Sequence, residues 1–139
     1  MASLLTAARV LLGFGLEGRK ERKAHDAATE AAEEVENTAG IVLCDYLNEE
    51  EAADMSVALY GCVFSTTYDA LMRRFSAKHV RFRREELARE VSEQVAEEIG
   101  MIVSICLSDY IDTEKAIEGG ARVKEDVRIA VYDAIMRNF

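Results

Sequence analysis

Apolar residues recur every three or four positions along most of the chain, the spacing of helices that bury one face. Leu87, Val91, Val95, Ile99, Ile102, Val103, Cys106 and Tyr110 make one continuous stripe. An earlier stripe is built from smaller residues: Ala24, Ala27, Ala28, Ala31, Val35, Val42 and Tyr46. Its small side chains would let partner helices approach closely. Both stripes stop at good helix N-cap residues, Asn48 and Asp112. Glu51 stands three positions after Asn48 and completes a capping box; Lys115 at the matching place does not. A helix follows each cap. One carries Ala52, Met55, Leu59, Val63, Leu71 and Phe75, the other Ala116, Val123, Val127, Ile135 and Phe139. Gly119-Gly120 is expected to kink the last helix or to delay its start to Ala121.

The pattern repeats. Shifted by 64 residues, Arg19–Phe75 falls on Arg83–Phe139 without a gap, and 19 of 57 positions are identical. Chance would give roughly four in a chain so rich in Ala and Glu. Each copy therefore reads as an antiparallel helical hairpin, because only a few residues connect its helices. One hairpin cannot cover its own apolar face, but two related by a pseudo-two-fold axis cover each other. The expected fold is all-α: a four-helix bundle of two tandem hairpins, 19–75 and 83–139, joined by 76–82 in one integrated domain. Residues 1–18 precede it. Leu4, Leu5, Ala8, Leu11 and Leu12 would share one face of a short helix that breaks at Gly13-Phe14-Gly15.

Composition agrees with an all-α chain of 139 residues: half the residues are apolar, 31% are charged, and proline is absent. No apolar run reaches membrane-spanning length. Arg9 inside the first apolar run, and the lack of a basic start or cleavage pattern, argue against a signal peptide. Three cysteines without paired spacing, Cys44, Cys62 and Cys106, are expected to be buried thiols of a reducing, cytoplasmic compartment.

A net charge of −9 disfavours nucleic acid as a partner. The charge is unevenly spread, however. Hairpins would gather Arg19, Lys20, Arg22, Lys23, Arg73 and Arg74 at one end, beside Lys78, His79, Arg81, Arg83 and Arg84 of the junction. The other end would hold Asp45, Glu49, Glu50, Glu51 and Asp54, matched by Asp109, Asp112, Glu114 and Glu118. Cations at a helix start oppose its dipole and call for acidic neighbours, solvent or an anionic partner. Next to the apolar N-terminal segment they allow peripheral contact of 1–23 with an anionic membrane surface, although an N-terminal helix packed on the bundle is the favoured reading.

Catalytic constellations do not emerge. Neither His25 nor His79 has a glutamate three residues before it, as the di-iron bundle motif requires. Glu33-Glu34 and Glu97-Glu98 are adjacent pairs pointing to different sides of a helix. Gly13-Phe14-Gly15-Leu16-Glu17-Gly18 matches a dinucleotide fingerprint by letters alone, since no strand precedes it. No catalytic residue, metal or cofactor is assigned.

Both copies keep Asp-Tyr at the turn (Asp45-Tyr46, Asp109-Tyr110) and Tyr-Asp-x-x-x-Arg near the end (Tyr68-Asp69 with Arg73, Tyr132-Asp133 with Arg137). Asp and Arg four apart on a helix suit an ion pair. The tyrosines would pack their rings and bond their hydroxyls to neighbouring Asp. Alternatively, Tyr46, Tyr68, Tyr110 and Tyr132 would mark a ligand pocket between the hairpins. Val57, Tyr60, Gly61, Phe64, Ser65 and Thr66 give way in the second copy to Ala121, Lys124, Glu125, Arg128, Ile129 and Ala130. The first copy thus has surplus apolar surface, which suggests a partner, another protomer or the N-terminal helix lying over it.

These features favour a non-enzymatic helical interaction or regulatory module that binds a protein partner or itself as a homo-oligomer. Its contact residues would be Val57, Tyr60, Phe64, Arg81, Arg83 and Arg84. Two alternatives are a small-molecule-binding or enzymatic bundle, and an acidic inhibitor or immunity-like protein that uses Glu49–Asp54 against a basic partner.

Overall fold

The computed structural model describes residues 18–76 and 83–139, which form four helices. They are α1 (Gly18–Leu43), α2 (Glu49–Ser76), α3 (Arg84–Leu107) and α4 (Thr113–Asn138). Each has 24 to 28 residues, or about 36–42 Å of helix. The segment carrying Leu4, Leu5, Ala8, Leu11 and Leu12, and the junction residues Lys78, His79, Arg81 and Phe82, lie outside the described residues.

The helices make a bundle. α1 packs on α2 and α4, and α3 packs on α4 and, less extensively, on α2. The core is aliphatic; Leu43, Leu71, Ile99, Leu107 and Ile135 are its largest fully buried side chains. Buried alanines Ala24, Ala27, Ala28, Ala31, Ala32 and Ala39 line α1.

The starts of α2 and α4 follow from their caps. Asn48 Oδ1 accepts from the Glu51 amide at 2.8 Å, and Glu51 Oε1 accepts from the Asn48 amide at 3.3 Å, which closes the box. Asp112 Oδ1 accepts from the Lys115 amide at 2.9 Å, with no reciprocal bond. Acidic side chains in the first turns of α2, α3 and α4, and Arg73, Arg74 and Arg137 in last turns, complement the helix dipoles.

Gly119 and Gly120 neither kink α4 nor delay it; the helix runs unbroken from Thr113. Both are buried because α3 comes close there. A Cβ on Gly120 would stand 1.8 Å from Ser104 Oγ and 2.8 Å from the Gly100 carbonyl oxygen. A Cβ on Gly119 would stand 2.6 Å from Leu107 Cδ1. Close backbone approach at Gly120, and the Leu107 and Tyr46 side chains at Gly119, account for these glycines without a break.

The cysteine expectation also needs correction. Cys44 and Cys106 are exposed and Cys62 is half-buried; all three are free thiols. The buried positions of α3 follow Leu87, Val91, Val95, Ile99, Val103 and Leu107. Cys106 and Ile102 stand one position before that row and turn outward, as does Tyr110 beyond the helix. Cys44 likewise follows the buried Val42-Leu43 and faces solvent.

Candidate functional site

At one end of the bundle, aromatic residues at the ends of α2 and α4 meet. Phe75 and Phe139 have ring centroids 5.4 Å apart. Lys20 lies over the Phe75 ring at 5.7 Å and Lys23 over the Phe139 ring at 5.9 Å. These cation–π contacts occupy two of the cations at the start of α1. The expected Asp69–Arg73 and Asp133–Arg137 pairs do not form. Arg137 instead reaches Glu30 on α1 at 2.8 Å, and Asn138 Nδ2 donates to the same carboxylate at 2.7 Å. The Glu30 hydrogen bond raises the Arg137 pKa, with Asp133 adding to the field from nearby. Arg74 crosses the other way, to Glu90 and Gln94 of α3.

Arg83 and Arg84 are exposed and, with Glu85, line an open cleft of about 330 Å³. Arg84 Nη1 donates to the Met136 carbonyl at 3.4 Å. Arg81 lies outside the described residues.

At the acidic end, Arg122 of α4 ties onto the α1–α2 turn. Its Nη1 donates to Asp45 Oδ2 at 2.8 Å and to the Tyr46 hydroxyl at 3.3 Å, and the guanidinium lies 5.6 Å from the Tyr46 ring centre. Tyr46 first and Asp45 second raise the Arg122 pKa. The tyrosine hydroxyl thus answers an arginine, not the neighbouring Asp expected from sequence.

The four candidate tyrosines have different surroundings. Tyr46, Tyr68 and Tyr132 are half-buried against the core, whereas Tyr110 is 56% exposed. Tyr68 stacks on Phe64 at 6.0 Å, and His25 meets Phe64 edge-on at 5.3 Å. With Gly18, Glu21, Arg22 and His25, Tyr68 lines a second open cleft, of about 270 Å³. Val57 is exposed, and Tyr60 and Phe64 are half-buried. Glu33, Glu97 and Glu98 are exposed. Among the described residues, no three His, Cys, Asp or Glu side chains converge as a metal site would require.

One exposed aliphatic surface lies outside the stripes that the sequence predicts. Met101, Ile105 and Ile117 are 61%, 62% and 60% exposed. Met101 and Ile105 are one turn apart on α3, and Ile117 is one turn before Gly120 on α4, so they flank the glycine contact. A signal for it was present: Ile41 and Ile105 are identical in the two copies, and both are exposed. A residue shared by both copies reads as core until the helix phase is fixed. Comparison with protein-family models, curated proteins and solved structures gives no match for this chain.

Proposed function

We propose that the chain is a non-enzymatic interaction module, built as two tandem antiparallel hairpins in a pseudo-two-fold bundle, that binds a protein partner through exposed aliphatic side chains. A second copy of the chain is the simplest such partner. The exposure of Met101, Ile105 and Ile117 beside the Gly120–Ser104 contact carries this reading. Such a group of large apolar side chains at a rigid helix pair favours burial against another protein.

The ordering of contacts along α1 and α2 supports the hairpin: Gly40 faces Ser56, His25 meets Phe64 and Lys20 covers Phe75. None of the described helices is long and apolar enough to cross a membrane.

Sedimentation equilibrium tests the reading. The wild-type chain should gain mass with concentration, and Ile105→Glu with Ile117→Lys should remain monomeric with unchanged helix content. A wild-type chain that stays monomeric, and from which affinity capture retains no protein sensitive to this double substitution, would overturn it.

A further inference from the structure

We infer that the turn between α3 and α4, at Asp109-Tyr110, is a receptor for an arginine side chain of a basic partner protein. The turn between α1 and α2 shows the same device occupied. There Arg122 bonds both Asp45 and the Tyr46 hydroxyl and lies over the Tyr46 ring. A shift of 64 residues carries Asp45-Tyr46 onto Asp109-Tyr110, but Arg122 onto Ala58. The second Asp-Tyr pair therefore lacks the arginine that the first one holds. Among the described residues no cation pairs with Asp109 or stands over Tyr110.

The two turns share one backbone hydrogen-bond pattern. In the first, the amides of Asp45 and Tyr46 donate to the Val42 and Leu43 carbonyls at 3.1 and 3.0 Å. In the second, the amides of Asp109 and Tyr110 donate to the Cys106 and Leu107 carbonyls at 3.3 and 2.9 Å. Leu47 and Ile111 close the turns on Leu43 and Leu107, at 2.8 and 3.0 Å. The Asp and Tyr side chains thus leave matching backbone positions.

Their surroundings differ. The Tyr46 ring is half-buried against Gly119, where an added Cβ would stand 3.4 Å from Cδ2 and Cε2. The register equivalent of Gly119 is Met55, and α3 packs on α2 less extensively than α1 packs on α4. Tyr110 is 56% exposed, and Cys106 is exposed where its equivalent Val42 is buried. Ile102, also exposed, stands one turn before Cys106 on the same side of α3. A ring, a carboxylate and a short apolar row are thus open to solvent together.

Arginine suits this group better than lysine. Its flat guanidinium stacks on a ring while donating to a carboxylate and a hydroxyl. The exposed acids Asp112, Glu114 and Glu118 outnumber the one nearby cation, Lys115, and favour a basic partner. An aliphatic residue beside the arginine would cover Ile102 and Cys106. The inference takes from the proposed function only that the chain binds a protein, and it uses other side chains than Met101, Ile105 and Ile117.

The test titrates the capped tripeptide acetyl-Leu-Arg-Leu-amide into the isotopically labelled full chain and follows backbone amide signals by NMR. Asp109 and Tyr110 should shift saturably, with an affinity roughly threefold tighter than for the matching Leu-Lys-Leu peptide. Asp109→Asn with Tyr110→Ala should weaken binding roughly fivefold while helix content holds, since both side chains are exposed. In the wild-type chain Asp45 and Tyr46 hold Arg122 and should not respond; in Arg122→Ala they should respond as well. Equal affinity for the two peptides, a response undiminished by the double substitution, or no saturable shift at Asp109 and Tyr110 would overturn the inference. None of these readouts needs self-association, so they can succeed where the sedimentation test fails.

Discussion

The α1–α2 pair and the α3–α4 pair meet across the same kind of contact with its two residues exchanged. In the first pair the glycine is on the leading helix: a Cβ on Gly40 would stand 3.3 Å from Ser56 Oγ. In the second pair the serine leads, and a Cβ on Gly120 would stand 1.8 Å from Ser104 Oγ. The 64-residue register carries Gly40 onto Ser104 and Ser56 onto Gly120. One small residue on either helix meets the requirement, so the choice of helix is free. The depth of approach is not. Gly100 has no glycine counterpart in the first copy, where Glu36 stands, and a Cβ there would stand 2.8 Å from Lys124 Cβ and 3.3 Å from the Gly120 carbonyl oxygen, so it lets α3 and α4 come closer. The first pair relies on the alanine face of α1, which keeps a full methyl at each step.

Substituting the two glycines gives the largest expected difference between the pairs. Alanine gains about 1 kcal/mol over glycine inside a helix. At Gly40 the mild contact with a serine hydroxyl consumes part of that gain, so Gly40→Ala should be close to neutral. At Gly120 the new methyl meets both a side chain and a backbone oxygen, and α3 must move. Gly120→Ala should cost about 2–3 kcal/mol net, read as a lower urea midpoint. Equal effects at the two sites would show that α3 and α4 are no closer than α1 and α2.

The sequence revealed the helices and caps because their determinants are local. Asn48 and Glu51 need only the backbone between them, and a spacing of three and four residues needs only one helix. It misled where a feature depends on a second helix. Gly119-Gly120 reads as a helix breaker until Gly100 and Ser104 are opposite. Asp133 and Arg137 read as a pair until Glu30 of α1 offers Arg137 a better-placed carboxylate. Helix phase was the other difficulty. A stripe that admits both three- and four-residue steps is wide enough to include Ile102 and Cys106, whereas the buried row of α3 advances by fours. The exposed Met101 and Ile105 lie just outside that row, and a small error in phase hides them. The basic start of α1 was legible as a problem, but its solution was not: Phe75 and Phe139 are distant in sequence from Lys20 and Lys23.

Thr67 gives the next largest effect and tests whether α2 and α4 tolerate the same residue at matching core positions. Its side chain is fully buried, and Oγ1 has no hydrogen-bond partner among the described residues. The register equivalent is Val131, also fully buried. Valine matches threonine in shape and removes the unpaired hydroxyl, whose burial costs on the order of 1–3 kcal/mol. Thr67→Val should therefore stabilise the chain by about 1 kcal/mol. The reverse change, Val131→Thr, should destabilise it by a similar amount. A loss of stability in Thr67→Val would mean that the hydroxyl does have a bond to lose.

The smallest expected effect concerns Asp126, whose register equivalent is the uncharged Cys62. Burial raises the Asp126 pKa above its ordinary value of 3.8, with Arg122 opposing the rise and Glu125 adding to it. The carboxyl therefore holds its proton more tightly in the folded chain than in the unfolded one. Its contribution to stability is fully present below 3.8 and is lost as pH rises through the folded value. At neutral pH the half-buried charge opposes folding slightly. Asp126→Asn cannot ionise, so its urea midpoint should lie a little above wild type at neutral pH. The gap should close in acid, where both side chains are neutral. An advantage that persisted unchanged in acid would arise from packing of the amide, and burial of the charge would no longer distinguish this site from its counterpart at Cys62.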